Sequence, residues 1–182
     1  MPGKAVLIAL ALFAAPAFAA DYVQAPGSTL AFAGSYQGEV FTSTFPGFAT
    51  RLSFDPKQLA TSRLEVTIPL ATAGTGNADY DGELRGGAFF DSAKFPQATY
   101  TATRFRALGG NRYAADGSLS LRGASKPVTL EFTWTPGARP ILAGKATVKR
   151  LDFGVGSGDW ADTDLIPNAI AISTRVLLVP AK

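Results

Sequence analysis

Segments in which apolar and polar residues alternate one by one recur along this chain of 182 residues. In the clearest segment every second residue is apolar: Leu64, Val66, Ile68 and Leu70. Successive side chains of a β-strand point to opposite faces of a sheet, so this period predicts strands with one dry face. Pro69 lacks a backbone N–H, which places that end of the strand at a sheet edge or a strand terminus.

About eight segments of this kind follow one another, separated by short turns rich in Gly and Pro. They cover residues 29–36, 48–54, 63–70, 98–106, 113–122, 128–135, 143–151 and 169–180. We expect a turn around Pro46-Gly47, carrying Phe41, Phe45 and Phe48, and a β-bulge where Arg104-Phe105-Arg106 breaks the alternation. An antiparallel meander of this size closes into a barrel or splits into a sandwich. In either case the pattern predicts an all-β antiparallel fold of about eight strands.

One short helix interrupts the strands within residues 73–87. Asn77 is a suitable N-cap, and Gly86 is suited to end the helix. Asp79, Asp81 and Glu83 fall in its first turns, where the helix dipole favours anions. Their spacing lacks the pattern of a calcium loop, so a solvated helix start is favoured over a metal site.

The first residues have the composition of an export signal. One Lys precedes a short apolar run, and Ala17-Phe18-Ala19 supplies the small residues of a cleavage site. The apolar run is too short to span a membrane. We therefore predict a signal peptide over residues 1–19, a single domain over residues 20–182, and a periplasmic location.

Cysteine and histidine are absent from the sequence. Disulfide staples, His-based catalysis and thiol or imidazole metal sites are therefore excluded. Removing Lys4 with the signal peptide leaves 16 basic against 14 acidic residues. Because the basic residues are scattered, no nucleic-acid footprint is visible. The glycines of residues 154–158 open no helix and lack a following Lys-Ser/Thr, so they do not form a phosphate loop. No metal or cofactor is predicted.

Three sets of candidate site residues lie on the inward faces of the predicted strands, in loops, and in the segment that includes the helix. The expected lining of a ligand cavity is Phe32, Phe48, Leu52, Phe54, Leu119, Leu121, Leu130, Phe132 and Trp134. A possible entrance rim is Phe41, Phe45 and Trp160, and barrel closure is assigned to Leu84, Phe89, Phe90 and Phe95. Alternation alone does not separate a cavity lining from an ordinary filled core.

Five motifs occur in a fixed order along the predicted domain. They lie at residues 54–59, 64–70, 84–100, 117–128 and 150–156, and the third reads LRGGAFFDSAKFPQATY. Together they resemble the YceI-like family, and the resemblance covers essentially the whole mature chain. It favours the barrel over the sandwich: it implies a periplasmic, antiparallel eight-stranded lipocalin-like barrel that holds a polyisoprenoid or similar lipid, with a helix near one end. Many relatives carry a His after the first strand, whereas this chain reads Gly34-Ser35-Tyr36, so no role of that His transfers.

The resemblance favours a non-enzymatic carrier of a long-chain isoprenoid lipid or quinone, exchanged with a membrane. The Gly-rich loop that ends in Trp160 is similar to relatives associated with cytochrome b561-like membrane proteins, which suggests such a partner. Three alternatives stay open: an integral outer-membrane β-barrel, a structural barrel with a filled core, and an enzyme that uses carboxylates. No carboxylate pair stands out for the last of these.

Overall fold

The computed structural model of the chain describes residues 19–182, so almost all of the predicted signal peptide, residues 1–19, lies outside the described residues. Within this range there are ten strands and one α-helix. The strands are β1 (Ala20–Gln24), β2 (Thr29–Tyr36), β3 (Glu39–Thr44), β4 (Ala49–Phe54), β5 (Arg63–Pro69), β6 (Gln97–Gly109), β7 (Arg112–Leu121), β8 (Ala124–Thr135), β9 (Ile141–Lys149) and β10 (Ala169–Pro180). The helix is α1 (Ala78–Arg85).

The sheet closes on itself. Going round the ring, the antiparallel neighbours are β1, β4, β5, β6, β7, β8, β9 and β10, and β10 pairs again with β1. The β2–β3 hairpin extends the wall, because β2 pairs with β10 beyond the stretch that β1 occupies. The predicted eight-stranded antiparallel barrel is confirmed, and closure of the ring excludes the sandwich.

Two strands differ from the sequence-based prediction. β1 was not predicted, and Phe41 lies within β3, although residues 41–48 were expected to form a turn. The observed hairpin between β2 and β3 turns at Gln37-Gly38, whose φ angles are 51° and 85°. Two positive φ values define a type I′ turn, and Gln is an unusual residue for the first position, so the hairpin was not evident. The turn at Pro46 is narrower, with the Phe48 N–H donating to the Phe45 carbonyl at 3.2 Å.

Helix α1 begins as predicted. The side chain of Asn77 accepts hydrogen bonds from the backbone N–H groups of Asp79 and Tyr80 at 3.0 and 3.4 Å. Asp81 accepts from the backbone N–H and the hydroxyl of Thr75 at 2.6 and 2.7 Å, which lowers the pKa of this carboxyl. The helix ends at Gly86 and buries Leu84. These contacts hold α1 against the loop that precedes it.

One end of the barrel is closed by a cluster of rings that we call the aromatic plug: Phe54, Phe105, Tyr113, Phe132 and Trp134. The ring of Phe54 lies at its centre, with centroid distances of 5.8, 5.1, 5.6 and 4.9 Å to the other four in that order. The register shift of β6 between Ala102 and Arg104, at the predicted bulge, directs Phe105 into this cluster. Edge-to-face and tilted contacts of this kind stabilise a packed core.

Candidate functional site

The interior beyond the aromatic plug is not filled. An inner chamber of about 110 Å³ lies next to it, with walls that include Phe48, Thr50, Tyr100, Val128 and Leu130. An outer chamber of about 110 Å³ follows, with walls that include Phe32, Phe90, Ala98 and Leu121. A void needs roughly 10–15 Å³ to hold one water molecule, so both chambers are large.

The two chambers are adjacent sections of one tunnel. They share the wall residues Phe45, Ile68, Leu119, Val148 and Ile172, which come from the turn after β3 and from β5, β7, β9 and β10. Several inward aliphatic side chains, including those of Val66, Ile68 and Ile172, are only half-buried although they face the interior. They are accessible because the tunnel in front of them is empty of protein atoms.

The tunnel opens through a vestibule of about 250 Å³. Phe41, Leu84, Phe89 and Ile166 line both the outer chamber and the vestibule, so the two are continuous. The remaining vestibule wall carries polar groups and large rings: Tyr36, Thr75, Tyr80, Glu83 and Trp160. The tunnel is therefore apolar along its length and becomes amphipathic at its mouth.

The predicted lining residues divide into two groups. Phe32, Phe48, Leu119, Leu121 and Leu130 lie on the chamber walls. The other four are Leu52, Phe54, Phe132 and Trp134, which are 1–4 % exposed and lie at the plugged end. In the described part of the chain, none of these four lines a chamber or the vestibule. Their predicted contact with a ligand is not supported by this placement.

The predicted rim and closure residues also separate. Of the rim, Trp160 and Phe41 line the vestibule, and Phe41 also lines the outer chamber. Phe45 lies deeper, on the wall that the two chambers share. Of the closure set, Leu84, Phe89 and Phe90 line the open end of the tunnel. Phe95 packs outside it, in contact with Gly123 and 5.2 Å from the Lys94 ammonium group.

A buried guanidinium, missed by sequence reasoning, organises the Gly-rich loop at the mouth. Arg150 is 3 % exposed, and its five N–H groups donate to backbone carbonyls of residues 155, 156, 160, 166 and 167. Burial lowers the pKa of this group, but arginine stays charged in proteins. Glycine is required at position 156, since a Cβ there would lie 2.6 Å from Nη1 of Arg150. The contact positions Trp160 and Ile166 at the vestibule.

Arg122, which lies in the 117–128 motif, contacts two others of the five sequence motifs. It has a φ of 52° and forms a type I′ turn with Gly123, whose φ is 78°. Its guanidinium donates to the carbonyls of Gly87 and Ala88 at 2.7 and 3.3 Å, and also to that of Gly154. The 84–100 segment is thereby held against the 150–156 loop.

Three hydroxyl groups lie on the inner chamber wall, and that of Thr174 donates to the Thr29 carbonyl at 2.8 Å. The Tyr100 hydroxyl lies 2.8 Å from the Ala115 carbonyl and 3.0 Å from that of Val128, and burial raises its pKa. Thr50 is 3 % exposed, and its hydroxyl has no hydrogen-bond partner among residues 19–182. The chamber is otherwise apolar. Sequence periodicity placed Thr50 on an inward face but could not reveal that it lacks a partner.

Metal ligands are not grouped in the described residues, where no cluster of three or more acidic side chains could hold an ion. No helix within residues 19–182 has the length and apolar character needed to cross a membrane.

A closed antiparallel barrel, plugged at one end and open to an apolar tunnel at the other, is the architecture of lipocalin-like proteins. The family model of the YceI-like domain matches residues 22–178, and the chain belongs to this family.

Relatives and solved structures agree with this assignment. A UPF0312 protein of Vibrio campbellii is 29 % identical over 177 residues, covering 90 % of this chain and 92 % of its own. The crystal structure of BcnA from Burkholderia cenocepacia is 28 % identical, has a TM-score of 0.79, and matches over 82 % of this chain and 95 % of its own. A polyisoprenoid-binding domain from Saccharophagus degradans, implicated in plant cell wall breakdown, shares the fold at 16 % identity. Its TM-score is 0.69, over 90 % of this chain and 99 % of that domain.

Proposed function

We propose that this protein is a non-enzymatic carrier that holds the hydrocarbon chain of an isoprenoid lipid or quinone inside its barrel. The observation that carries the proposal is the continuous tunnel, which runs from the aromatic plug through two chambers of about 110 Å³ each to a vestibule with polar groups. A linear amphiphile has the same polarity, with a long apolar tail and one polar end.

The filled-core alternative predicts side chains that meet across the axis. Here Val66, Ile68 and Ile172 face the interior and yet stay half-buried, because the space in front of them is unoccupied by side chains. The outer-membrane alternative requires an apolar outer surface. The outward positions of β5 and β8 include Arg63, Glu65 and Glu131, which favours an aqueous surrounding.

Energetics favour exchange with a membrane over capture from water. Burial of hydrocarbon contributes roughly 0.8 kcal/mol per CH₂, so a long tail taken from water would exceed the practical affinity ceiling of about 18–21 kcal/mol. A lipid taken from a bilayer leaves one apolar environment for another, and the net free energy of transfer stays small. The carrier would therefore load and unload at a membrane surface, with the polar head at the vestibule.

The cellular part of the proposal rests on the sequence. The export signal predicted at residues 1–19 would deliver the barrel to the periplasm, with a mature chain that begins at Ala20. A quinone ligand and a cytochrome b561-like membrane partner remain predictions from the resemblance of the Gly-rich loop. N-terminal sequencing of the protein recovered from a periplasmic extract would test the cleavage site.

Lipid extraction from the purified protein tests the central claim. We expect the full-length chain, expressed in a Gram-negative host, to appear in a detergent-free periplasmic extract with one isoprenoid lipid per barrel by native mass spectrometry. Ala146→Phe, which places a ring in the inner chamber, should retain far less lipid, whereas Ala143→Phe on the outer face of the same strand should retain as much as the wild type. Absence of any stoichiometric lipid, or equal retention by Ala146→Phe, would contradict the proposal.

A further inference from the structure

The vestibule differs from the chambers in having several aromatic rings on its wall. Its aromatic wall is formed by Tyr36, Phe89 and Trp160, with ring centroids of Trp160 at 6.0 Å from Tyr36 and 5.5 Å from Phe89. Tyr80 of α1 completes the set and is 53 % exposed, which is unusual for so large a side chain. Rings that converge on a mouth offer stacking surfaces for a flat or compact polar group.

The charge of the vestibule is negative. Glu83 is part of its wall, and among the described residues no Lys or Arg shares that wall. Asp159 and Asp162, which flank Trp160 along the chain, are also exposed. Arg85 of α1 is directed elsewhere, donating to the Ala73 carbonyl at 3.1 Å with its Nη2 3.9 Å from Asp81.

The guanidinium groups at this end of the barrel are already engaged. Arg150 is the one cation that residues 19–182 place on the tunnel wall, and all five of its N–H groups donate to backbone carbonyls. Arg122 donates to three further carbonyls on the loop and the 84–100 segment. Side-chain N–H groups of Arg and Lys are the usual charged donors to a phosphate, and these two guanidinium groups are committed to backbone carbonyls instead.

We infer that the vestibule selects a lipid with an uncharged head, such as a hydroxyl or a phenol or quinone ring, and disfavours a phosphate or diphosphate head. This inference rests on the proposed carrier function and specifies the ligand class. The Glu83 carboxylate would lie beside the head, where a phosphate adds like charge in a partly desolvated site. An aromatic head instead stacks on the rings of the vestibule, and a hydroxyl can hydrogen-bond to Thr75 or Tyr80.

Three ligands that have the same hydrocarbon tail and differ only in the head group isolate the effect of the head. We would measure binding of geranylgeraniol, geranylgeranyl phosphate and geranylgeranyl diphosphate to the delipidated full-length protein by quenching of tryptophan fluorescence at 0.15 M salt. The alcohol should bind at least about tenfold more tightly than the diphosphate, since tenfold corresponds to about 1.4 kcal/mol of repulsion. Glu83→Gln should reduce the ratio of the diphosphate and alcohol dissociation constants, and Glu83→Lys should reduce this ratio further or reverse the preference.

A matched charge change elsewhere serves as the control. Glu131 is 61 % exposed on the outer face of β8, and Glu131→Lys alters the net charge by the same amount as Glu83→Lys. It should leave the preference for the alcohol unchanged. A wild-type protein that binds the diphosphate as tightly as the alcohol would overturn the inference and leave the carrier function intact. If none of the three ligands binds, the carrier function itself is overturned, and the inference falls with it.

Discussion

Replacing Ala146 by Leu should stabilise the ligand-free protein and impair lipid binding at the same time. Ala146 faces the inner chamber from β9 and is half-buried. In an ordinary packed core, three extra carbon atoms would force neighbouring side chains apart and cost about 1–3 kcal/mol. In an empty chamber, the same atoms occupy space that is already present, and the sign of the effect is reversed.

The size of the effect follows from the cavity. An unfilled volume of about 110 Å³, at roughly 24 cal/mol per Å³, corresponds to about 2.6 kcal/mol of stability that filling could recover. Three buried carbons contribute about 2.4 kcal/mol by area, and ordering the Leu side chain costs about 0.5–1 kcal/mol. A net gain of about 1.5–2 kcal/mol results, which raises Tm by roughly 3–8 °C for a domain of this size.

Two further Ala→Leu variants calibrate the measurement, which is thermal unfolding of delipidated protein followed by circular dichroism. Ala102 is 1 % exposed near the plugged end, so Ala102→Leu should lower Tm. Ala143 is exposed on the outer face of β9, so Ala143→Leu should change Tm little. Added geranylgeraniol should raise Tm of the wild type and of Ala143→Leu more than that of Ala146→Leu. If Ala146→Leu is destabilised as much as Ala102→Leu, the inner chamber is not empty and the reasoning fails.

Three other perturbations have expected outcomes of definite sign. Arg150→Met removes five hydrogen-bond donors from backbone carbonyls and should lower the free energy of unfolding in urea by about 3–5 kcal/mol. Amide hydrogen exchange across residues 150–168 should become faster. Unchanged exchange in this segment would contradict the role of the Arg150 contacts. Thr50→Val removes a buried hydroxyl that has no hydrogen-bond partner, and it should stabilise the delipidated protein by about 1–2 kcal/mol in the same assay. A loss of stability would mean that the hydroxyl does have a hydrogen-bond partner. Hydrogen bonds from Arg106 and Thr129 lower the pKa of Asp116 to about 2, so its contribution to stability should be present above pH 4 and disappear as pH falls toward 2. In Asp116→Asn the free energy of unfolding should therefore depend less on pH between pH 4 and pH 2 than in the wild type. A steeper loss of stability in the variant would contradict this role of Asp116.

Sequence periodicity identified which face of each predicted strand is buried, because the alternation is a local property. β8 and β4, together with the residue before β4, illustrate this, since Phe48, Phe54, Leu130 and Trp134 are all buried in the interior as predicted. Periodicity carries no information on the position of a residue along the barrel axis. That position depends on strand register and bulges, which is why Phe48 and Leu130 line a chamber whereas Phe54 and Trp134 belong to the aromatic plug.

Other features were hidden for different physical reasons. Arg150 reads as an ordinary surface residue, because only the folded loop brings five carbonyls around one guanidinium. The β2–β3 hairpin was not predicted, because its turn places Gln37 in a conformation that usually selects Asn, Asp or Gly. The vestibule combines β2, α1 and the 150–168 loop, which lie far apart in sequence, so no local pattern could predict it.

Closure of the ring through β1 and β10 also shapes how the protein folds. Tyr22 is registered with Pro180, and the Ala181 N–H donates to the Asp21 carbonyl at 2.9 Å, so segments from opposite ends of the domain meet in one seam. Folds dominated by such distant pairings form slowly, because loop-closure entropy must be overcome before the seam forms. Until then β1 and β10 offer open edges at the seam and the future tunnel wall faces water, which makes the nascent chain prone to aggregation. Chaperones would have to act in this interval, before the last strand is in place.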